Sequence, residues 1–194
     1  NNTAVGKSAL VANTTGANNV ALGATSLQLN TTGANNTALG KGALVFNTTA
    51  SNNTGVGYLA LNANTTGTPN VAVGTSALGA NTTAHRSTAV GYNALLSSNV
   101  SGNSNAYNTA VGYAAGEAVT TGLQNTLVGG QAGQALTTSS DNVAIGPFAL
   151  KNDTKGGKTV AIGRSALGDQ NFTSATDTYN VGVGYFAGVA VTTG

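Results

Sequence analysis

The chain has 194 residues, of which 6% are charged and 28 are glycine, with no cysteine, methionine or tryptophan. Seven Lys and Arg against five Asp and Glu leave a net charge of +2, too sparse for the dense basic patch of a nucleic-acid interface. The lack of cysteine excludes disulfides and thiolate metal sites, and the absence of an 18-residue apolar run excludes a helical membrane span.

One unit organises the rest, roughly N-[TV]-A-[VIL]-G-x-x-A-[LG], and eleven copies of it fill the chain. Its central glycine falls at Gly6, Gly23, Gly40, Gly57, Gly74, Gly91, Gly112, Gly129, Gly146, Gly163 and Gly184. The spacing is 17 residues eight times and 21 residues twice. A fixed period of this size is the signature of a repeat architecture.

Positions are counted from the asparagine of the unit as 0. Position 1 is Thr or Val, position 2 is small, and position 3 is aliphatic throughout, from Val5 and Leu22 to Ile162 and Val183. This alternation predicts a short strand with positions 1 and 3 on one face and position 2 on the other. Glycine at position 4 in every copy predicts a corner that a Cβ would spoil, or a close backbone approach. Positions 7 and 8 are mostly Ala-Leu, with Gly116, Gly133 and Gly188 as exceptions at position 8. They are expected to form a second short strand, its Leu sharing an internal seam with the position-3 aliphatics. No window is long and regular enough for a helix.

Along the chain, the first five tails carry Asn-Thr-Thr, beginning at Asn13, Asn30, Asn47, Asn64 and Asn81. Asn followed by Gly or Ala suits a turn that returns the chain to the next coil. Two tails, 96–107 and 168–179, are four residues longer and end in Tyr107 and Tyr179. Each precedes a similar stretch, GYAAGEAVTTG from Gly112 and GYFAGVAVTTG from Gly184. The array starts on a repeat at Asn1 and stops inside a tail at Gly194, without the polar caps a solenoid needs. The expectation is a single array over 1–194, cut from a longer fibre protein.

The expected fold is all-β: a parallel β-solenoid, or β-roll, of about eleven 17-residue coils stacked about 4.8 Å apart. A core this thin, on a chain this poor in charge, argues for association. The reading is a homotrimer with the small position-2 face toward the shared axis; the alternative is a monomeric rod whose Ala column fits a narrow interior.

The unit, clearest in Asn142-Val143-Ala144-Ile145-Gly146 and Val160-Ala161-Ile162-Gly163, resembles the head repeat of YadA-type trimeric autotransporter adhesins. The form NTAVGYxAL with NTTG spacers is also similar to repeat shafts of bacteriophage tail fibres. The resemblance covers nearly the whole chain and implies a trimeric left-handed β-roll with an attachment role. The 17-residue period, and Thr or Val in place of the adhesin motif's Ser-Val pair, depart from the adhesin head and favour the phage or viral fibre.

Residues for catalysis are few. His85 stands alone in a turn beside Arg86, and Glu117, Asp141, Asp153, Asp169 and Asp177 share no position in neighbouring units. Paired-carboxylate chemistry and an Asp-per-coil calcium roll therefore have no candidates. Gly55-Val56-Gly57 and Gly182-Val183-Gly184 lack the following helix of a phosphate-binding loop and are repeat variants. Asn-x-Thr sequons at Asn13, Asn30, Asn47, Asn64 and Asn81 coincide with the turn of the repeat. No catalytic residue, metal site or cofactor is expected.

Tyr58, Tyr92, Tyr113 and Tyr185 each follow the repeat glycine. Exposed Tyr suits sugar or protein contacts, so these four, with Tyr107 and Tyr179 on the protruding tails, are the candidate surface-binding residues. The function expected is a structural and adhesive fibre segment of a phage or virion appendage, extracellular or at a cell surface. Its partners would be itself and a host cell-surface glycan or protein, with no nucleic acid and no membrane insertion. A bacterial trimeric surface adhesin head is one alternative. An ice-binding β-solenoid is another, prompted by the Thr14, Thr31, Thr48, Thr65 and Thr82 column.

Overall fold

The computed structural model describes residues 1–192; Thr193 and Gly194, the last two residues of the expected array, lie outside the described residues. Each copy of the unit contributes one three-residue strand at positions 1 to 3. These are β1 (Thr3–Val5), β2 (Val20–Leu22), β3 (Thr37–Leu39), β4 (Thr54–Val56), β5 (Val71–Val73), β6 (Thr88–Val90), β7 (Thr109–Val111), β8 (Thr126–Val128), β9 (Val143–Ile145), β11 (Val160–Ile162) and β13 (Val181–Val183). Two-residue strands β10 (Gly156–Gly157) and β12 (Thr176–Asp177) form a separate ladder. The described residues contain no helix.

The eleven longer strands make one parallel sheet in chain order. The register is unit on unit: Thr3 pairs with Val20, Ala4 with Ala21 and Val5 with Leu22, and the same holds up the rod. The fold is thus a parallel β-solenoid of eleven coils about 17 residues apart. Beyond the strands the turns also bond coil to coil, as in Thr25 N–H to Lys7 O at 2.9 Å and Leu27 N–H to Ala43 O at 3.0 Å. The backbone polar groups of these turns are satisfied by the neighbouring coil, which removes the cost of burying them.

The interior corrects three expectations. Position 2 points inward: Ala21, Ala38, Ala72, Ala89, Ala110, Ala144 and Ala161 have no exposed surface. It faces its own chain's leucines rather than another chain. Position 3 points outward and leaves the internal seam; Val5 is 56% and Leu22 49% exposed. The Ala-Leu pair at positions 7 and 8 is a turn, not a second strand.

One geometric fact explains all three. The position-8 leucines adopt left-handed backbone, φ 53° at Leu44 and 50° at Leu78, which turns their side chains into the coil. Left-handed backbone costs a non-glycine residue about 1–2 kcal/mol. Burying a leucine side chain offsets this with about 1.5–3 kcal/mol. The leucine then occupies the volume opposite the strand. A Cβ built on Gly55 would meet Cγ of Leu44 at 3.3 Å, and one on Gly182 would meet Cγ of Leu167 at 2.8 Å. Position 2 is small because the preceding coil's leucine fills its space.

The exception at position 2 follows the same rule. Leu127 replaces Ala where position 8 is Gly116 and Gly133. A Cβ on Gly116 would lie 2.6 Å from Leu127 Cδ1, and one on Gly133 would lie 2.8 Å from Leu127 Cδ2. The bulk has moved from the turn to the strand.

Candidate functional site

The repeat glycines form a continuous column with φ between 124° at Gly146 and 139° at Gly112. A Cβ on Gly112 would sit 2.5 Å from the Gly129 carbonyl oxygen. The close approach is to the next coil of the same chain. At Gly184, in the last described unit, the nearest atom to such a Cβ is Ala187 Cβ at 3.7 Å.

Two buried asparagine columns line the opposite end of each coil. In the first, the side-chain oxygen of the position-0 Asn accepts the backbone N–H of its counterpart one coil on. Asn36 N–H reaches Asn19 Oδ1 at 2.9 Å and Asn125 N–H reaches Asn108 Oδ1 at 2.9 Å. In the second, the Asn of each Asn-Thr-Thr donates to the one before: Asn47 Nδ2 to Asn30 Oδ1 at 2.8 Å and Asn64 Nδ2 to Asn47 Oδ1 at 3.0 Å. Asn30, Asn47, Asn64 and Asn81 are therefore buried parts of the rod, and these sequons are closed to modification in the folded state. The adjacent threonines donate down the rod, Thr14 Oγ1 to Thr31 O at 3.0 Å and Thr31 Oγ1 to Thr48 O at 3.1 Å.

The second column changes chemistry along the rod. Past Asn81 it reads Ser98, Val119, Leu136, Asp153, Gln170 and Val191. Asn81 Oδ1 and Ser98 Oγ are buried without partners where the ladder stops. Farther on, the carboxylate of Asp153 is fully buried and accepts from Gly156 N–H at 3.0 Å, Phe172 N–H at 3.0 Å and Gln170 Nε2 at 2.7 Å.

The candidate tyrosines fall into two columns. Tyr58, Tyr92, Tyr113 and Tyr185 occupy position 5 and are exposed. Tyr92 and Tyr113 stack with centroids 5.5 Å apart and planes 8° from parallel. Thr75 separates Tyr58 from them, and Gly130, Pro147 and Arg164 separate Tyr185. Tyr185 instead meets Phe186 edge-on at 4.4 Å.

Tyr107 and Tyr179 stand in another column, immediately before the position-0 residue, where Asn18, Asn35 and Asn52 also take positive φ. Each covers the basic residue of the coil before. Arg86 lies 5.5 Å from the Tyr107 ring centroid and donates to its hydroxyl at 2.5 Å. Lys158 lies 5.3 Å from the Tyr179 ring and bonds Asp177 Oδ2 at 2.6 Å. The Asp177 carboxylate, then the Tyr179 hydroxyl, raise the Lys158 pKa above its ordinary value. These two tyrosines re-enter the column after an insertion.

The two long tails differ in their support. In the first, Ser101, Gly102 and Asn103 are exposed, and Val100 and Ala106 pack with Ala84 in a small apolar cluster. In the second, Phe172 is buried, Asp153 holds its N–H, and β12 pairs with β10 as Gly156 with Thr176 and Gly157 with Asp177. Sequence reasoning missed this anchoring; its signal was the acid and amide of Asp153 and Gln170 following the apolar Val119 and Leu136 in the same column. Beside this tail lies an open groove of about 420 Å³, lined by 138–141, Lys155, Gly157 and 175–177. Among the described residues no three His, Asp or Glu side chains come together.

No family model, no curated protein and no solved structure matches this chain.

Proposed function

We propose that the chain is a shaft segment of a homotrimeric adhesive fibre, outside the cell or on a virion, that contributes to attachment at a host surface. One observation carries this reading: the outer face of the sheet is apolar along its whole length. Position 3 places Val, Leu or Ile there in all eleven coils, and position 1 adds Val20, Val71, Val143, Val160 and Val181 among threonines. A strip this continuous along a rod is a binding surface.

The occupants proposed are two further copies of the same chain. A second copy carries the same strip at the same spacing, so like coils meet at like heights. No charged residue stands at positions 1 or 3, so apposition neither desolvates nor opposes charge. This face replaces the position-2 face expected for the axis, since position 2 is filled by the chain's own leucines. The mechanical role follows from the ladders: every coil is hydrogen-bonded to the next, and the rod resists local opening.

Sedimentation equilibrium of the purified chain tests the assembly, with three times the 18.8 kDa chain mass expected. A monomer across the micromolar range would overturn it. Adsorption of labelled protein to a panel of bacterial and animal cells tests attachment, with saturable binding to some and none to others expected.

A further inference from the structure

The groove beside the second long tail is built rather than incidental. Its far wall is Ala175, Thr176 and Asp177, held by the β10–β12 ladder, with buried Phe172 and the Asp153 carboxylate fixing the base of the tail. A wall ordered in advance binds without an ordering cost. Its volume of about 420 Å³ falls within the range of small-ligand sites.

The lining is polar and balanced in charge. Asp141 and Asp177 contribute two carboxylates. Lys155 contributes one ammonium, and Lys158 neutralises Asp177 through the 2.6 Å ion pair. Threonine hydroxyls stand at Thr138 and Thr176. Ser139, 7% exposed, also lines the groove, and its Oγ has no hydrogen-bond partner. The rod does not need that hydroxyl: Ala50 and Ala84 occupy the same place, their carbonyls accepting an Asn side chain as Ser139 O does from Asn125. A change of χ1 rotamer is the motion by which the Ser139 Oγ would meet a ligand in the groove.

We propose that this groove is a subsite for a neutral saccharide, an inference that rests on the attachment reading above. Sugar hydroxyls both donate and accept. They donate to Asp141 and to the Thr176 hydroxyl oxygen, whose own proton goes to Ser174 O at 3.1 Å, and accept from Lys155 and Ser139, a mixture that an anion or a cation would use only in part. The absence of net charge removes any preference for an acidic sugar. Without an aromatic floor each contact is modest, so a single sugar ring binds in the millimolar range (a Kd of 1 mM corresponds to about 4 kcal/mol), and affinity comes from copies of the site along a multivalent fibre.

The test is saturation-transfer NMR on the assembled protein with the methyl glycosides of glucose, galactose, mannose and N-acetylglucosamine, and with N-acetylneuraminic acid for comparison. At least one neutral glycoside should receive saturation, and the acid should receive none. The double variant S139A/D141N should weaken that binding at least tenfold. Both replacements are the residues found at the same places in other coils, Ala50 and Ala84 for one and Asn18, Asn35 and Asn52 for the other. If the variant nonetheless melts early, Lys155→Gln, at an exposed side chain, carries the same expectation. No signal from any neutral glycoside overturns the proposal, as does binding of the acid alone or full binding in the variants. A variant that dissociates the assembly also overturns it, because the groove would then be a contact between copies. The fibre reading is judged separately, by the mass of the assembly.

Discussion

The side-chain amides of Asn19 and Asn30 converge on one acceptor, the carbonyl oxygen of Gly33, at 2.8 and 2.9 Å. Asn19 opens the coil, and Asn30 lies three residues before Gly33 in its closing turn. The same fork recurs at Ala50 O, where Asn36 and Asn47 both donate at 2.9 Å. Each closing turn is thereby tied to itself and to the start of its own coil through a single oxygen. Replacing Asn47 by Ala leaves Ala50 O with one donor, orphans Asn30 Oδ1, and leaves Asn64 Nδ2 with only its bond to Gly67 O at 3.1 Å. A buried unsatisfied group costs about 1–3 kcal/mol, so Asn47→Ala should lower stability by at least that amount in a denaturant melt. Asn18→Ala, at an exposed Asn on the turn of an earlier coil, should change it by less than about 1 kcal/mol.

The glycine column yields a graded prediction. Gly112→Ala places a Cβ 2.5 Å from Gly129 O, backbone that cannot move without breaking the ladder. The chain should lose its native thermal transition or populate it only at low temperature. Gly184→Ala meets, among the described residues, nothing closer than 3.7 Å and retains only the strain of φ 130°, a cost of about 1–3 kcal/mol. Equal melting temperatures for the two variants would refute the close-approach account.

The period, the strand and the glycine corner were legible because each is a property of local sequence repeated many times. Which face of the strand is inside was not. Ala21 and Leu22 alternate like any amphipathic strand, and hydrophobicity alone would bury the larger residue. The decision lies with Leu10 and Leu27, whose left-handed backbone aims them into the coil and leaves room for only a methyl at the next position 2. No propensity scale favours leucine at positive φ, so the sequence read as a second strand where the chain turns. The asparagines were read as turn formers, which they are. Their burial depends on partners in the neighbouring coil and has no local signature. The tyrosine column at position 5 could be read, but the pairing of Tyr92 with Tyr113, and of Tyr107 with Arg86, depends on how side chains of neighbouring coils turn toward one another.

The exposed ion pair on the second tail gives a pH prediction with a fixed sign. The Lys158 pKa is raised in the folded chain by Asp177 and Tyr179. Its contribution is present in full below the ordinary value of 10.5 and is lost as pH rises through the higher folded value. Because both partners are exposed at the surface, global stability should change little. Reductive ¹³C-methylation with a chemical-shift titration reads the site directly. Lys158 should titrate above the ordinary value of 10.5, and Asp177→Asn should bring it down toward that value.

The outward strip separates assembly from folding. Val90 and Val128 are only partly buried in the single chain and touch neither the Ala column nor the leucines inside it. A lysine at either should leave the coil intact but set a charge in each copy's apolar strip. If the strip joins three copies, Val90→Lys/Val128→Lys should sediment as a monomer with an unchanged far-UV spectrum. A variant that remains trimeric would place the contact on another face.

The last prediction concerns Leu127, where the rod exchanges one packing solution for another. In most coils a Leu at position 8 fills the interior and position 2 is Ala. Around Leu127 the flanking turns carry Gly116 and Gly133, and Leu127 reaches into both spaces. Leu127→Ala should open a cavity and cost about 2–5 kcal/mol. Gly116→Leu alone should also destabilise, because its Cβ already stands 2.6 Å from Leu127 Cδ1. The combination restores the arrangement of Leu44 against Gly55, a Leu in the turn over a small residue in the next strand. The double variant should therefore be more stable than either single one, and a double-mutant cycle should give a coupling of about 1–3 kcal/mol. Additive losses would mean that the two sites do not share one volume, and the account of why position 2 is small would fail with them.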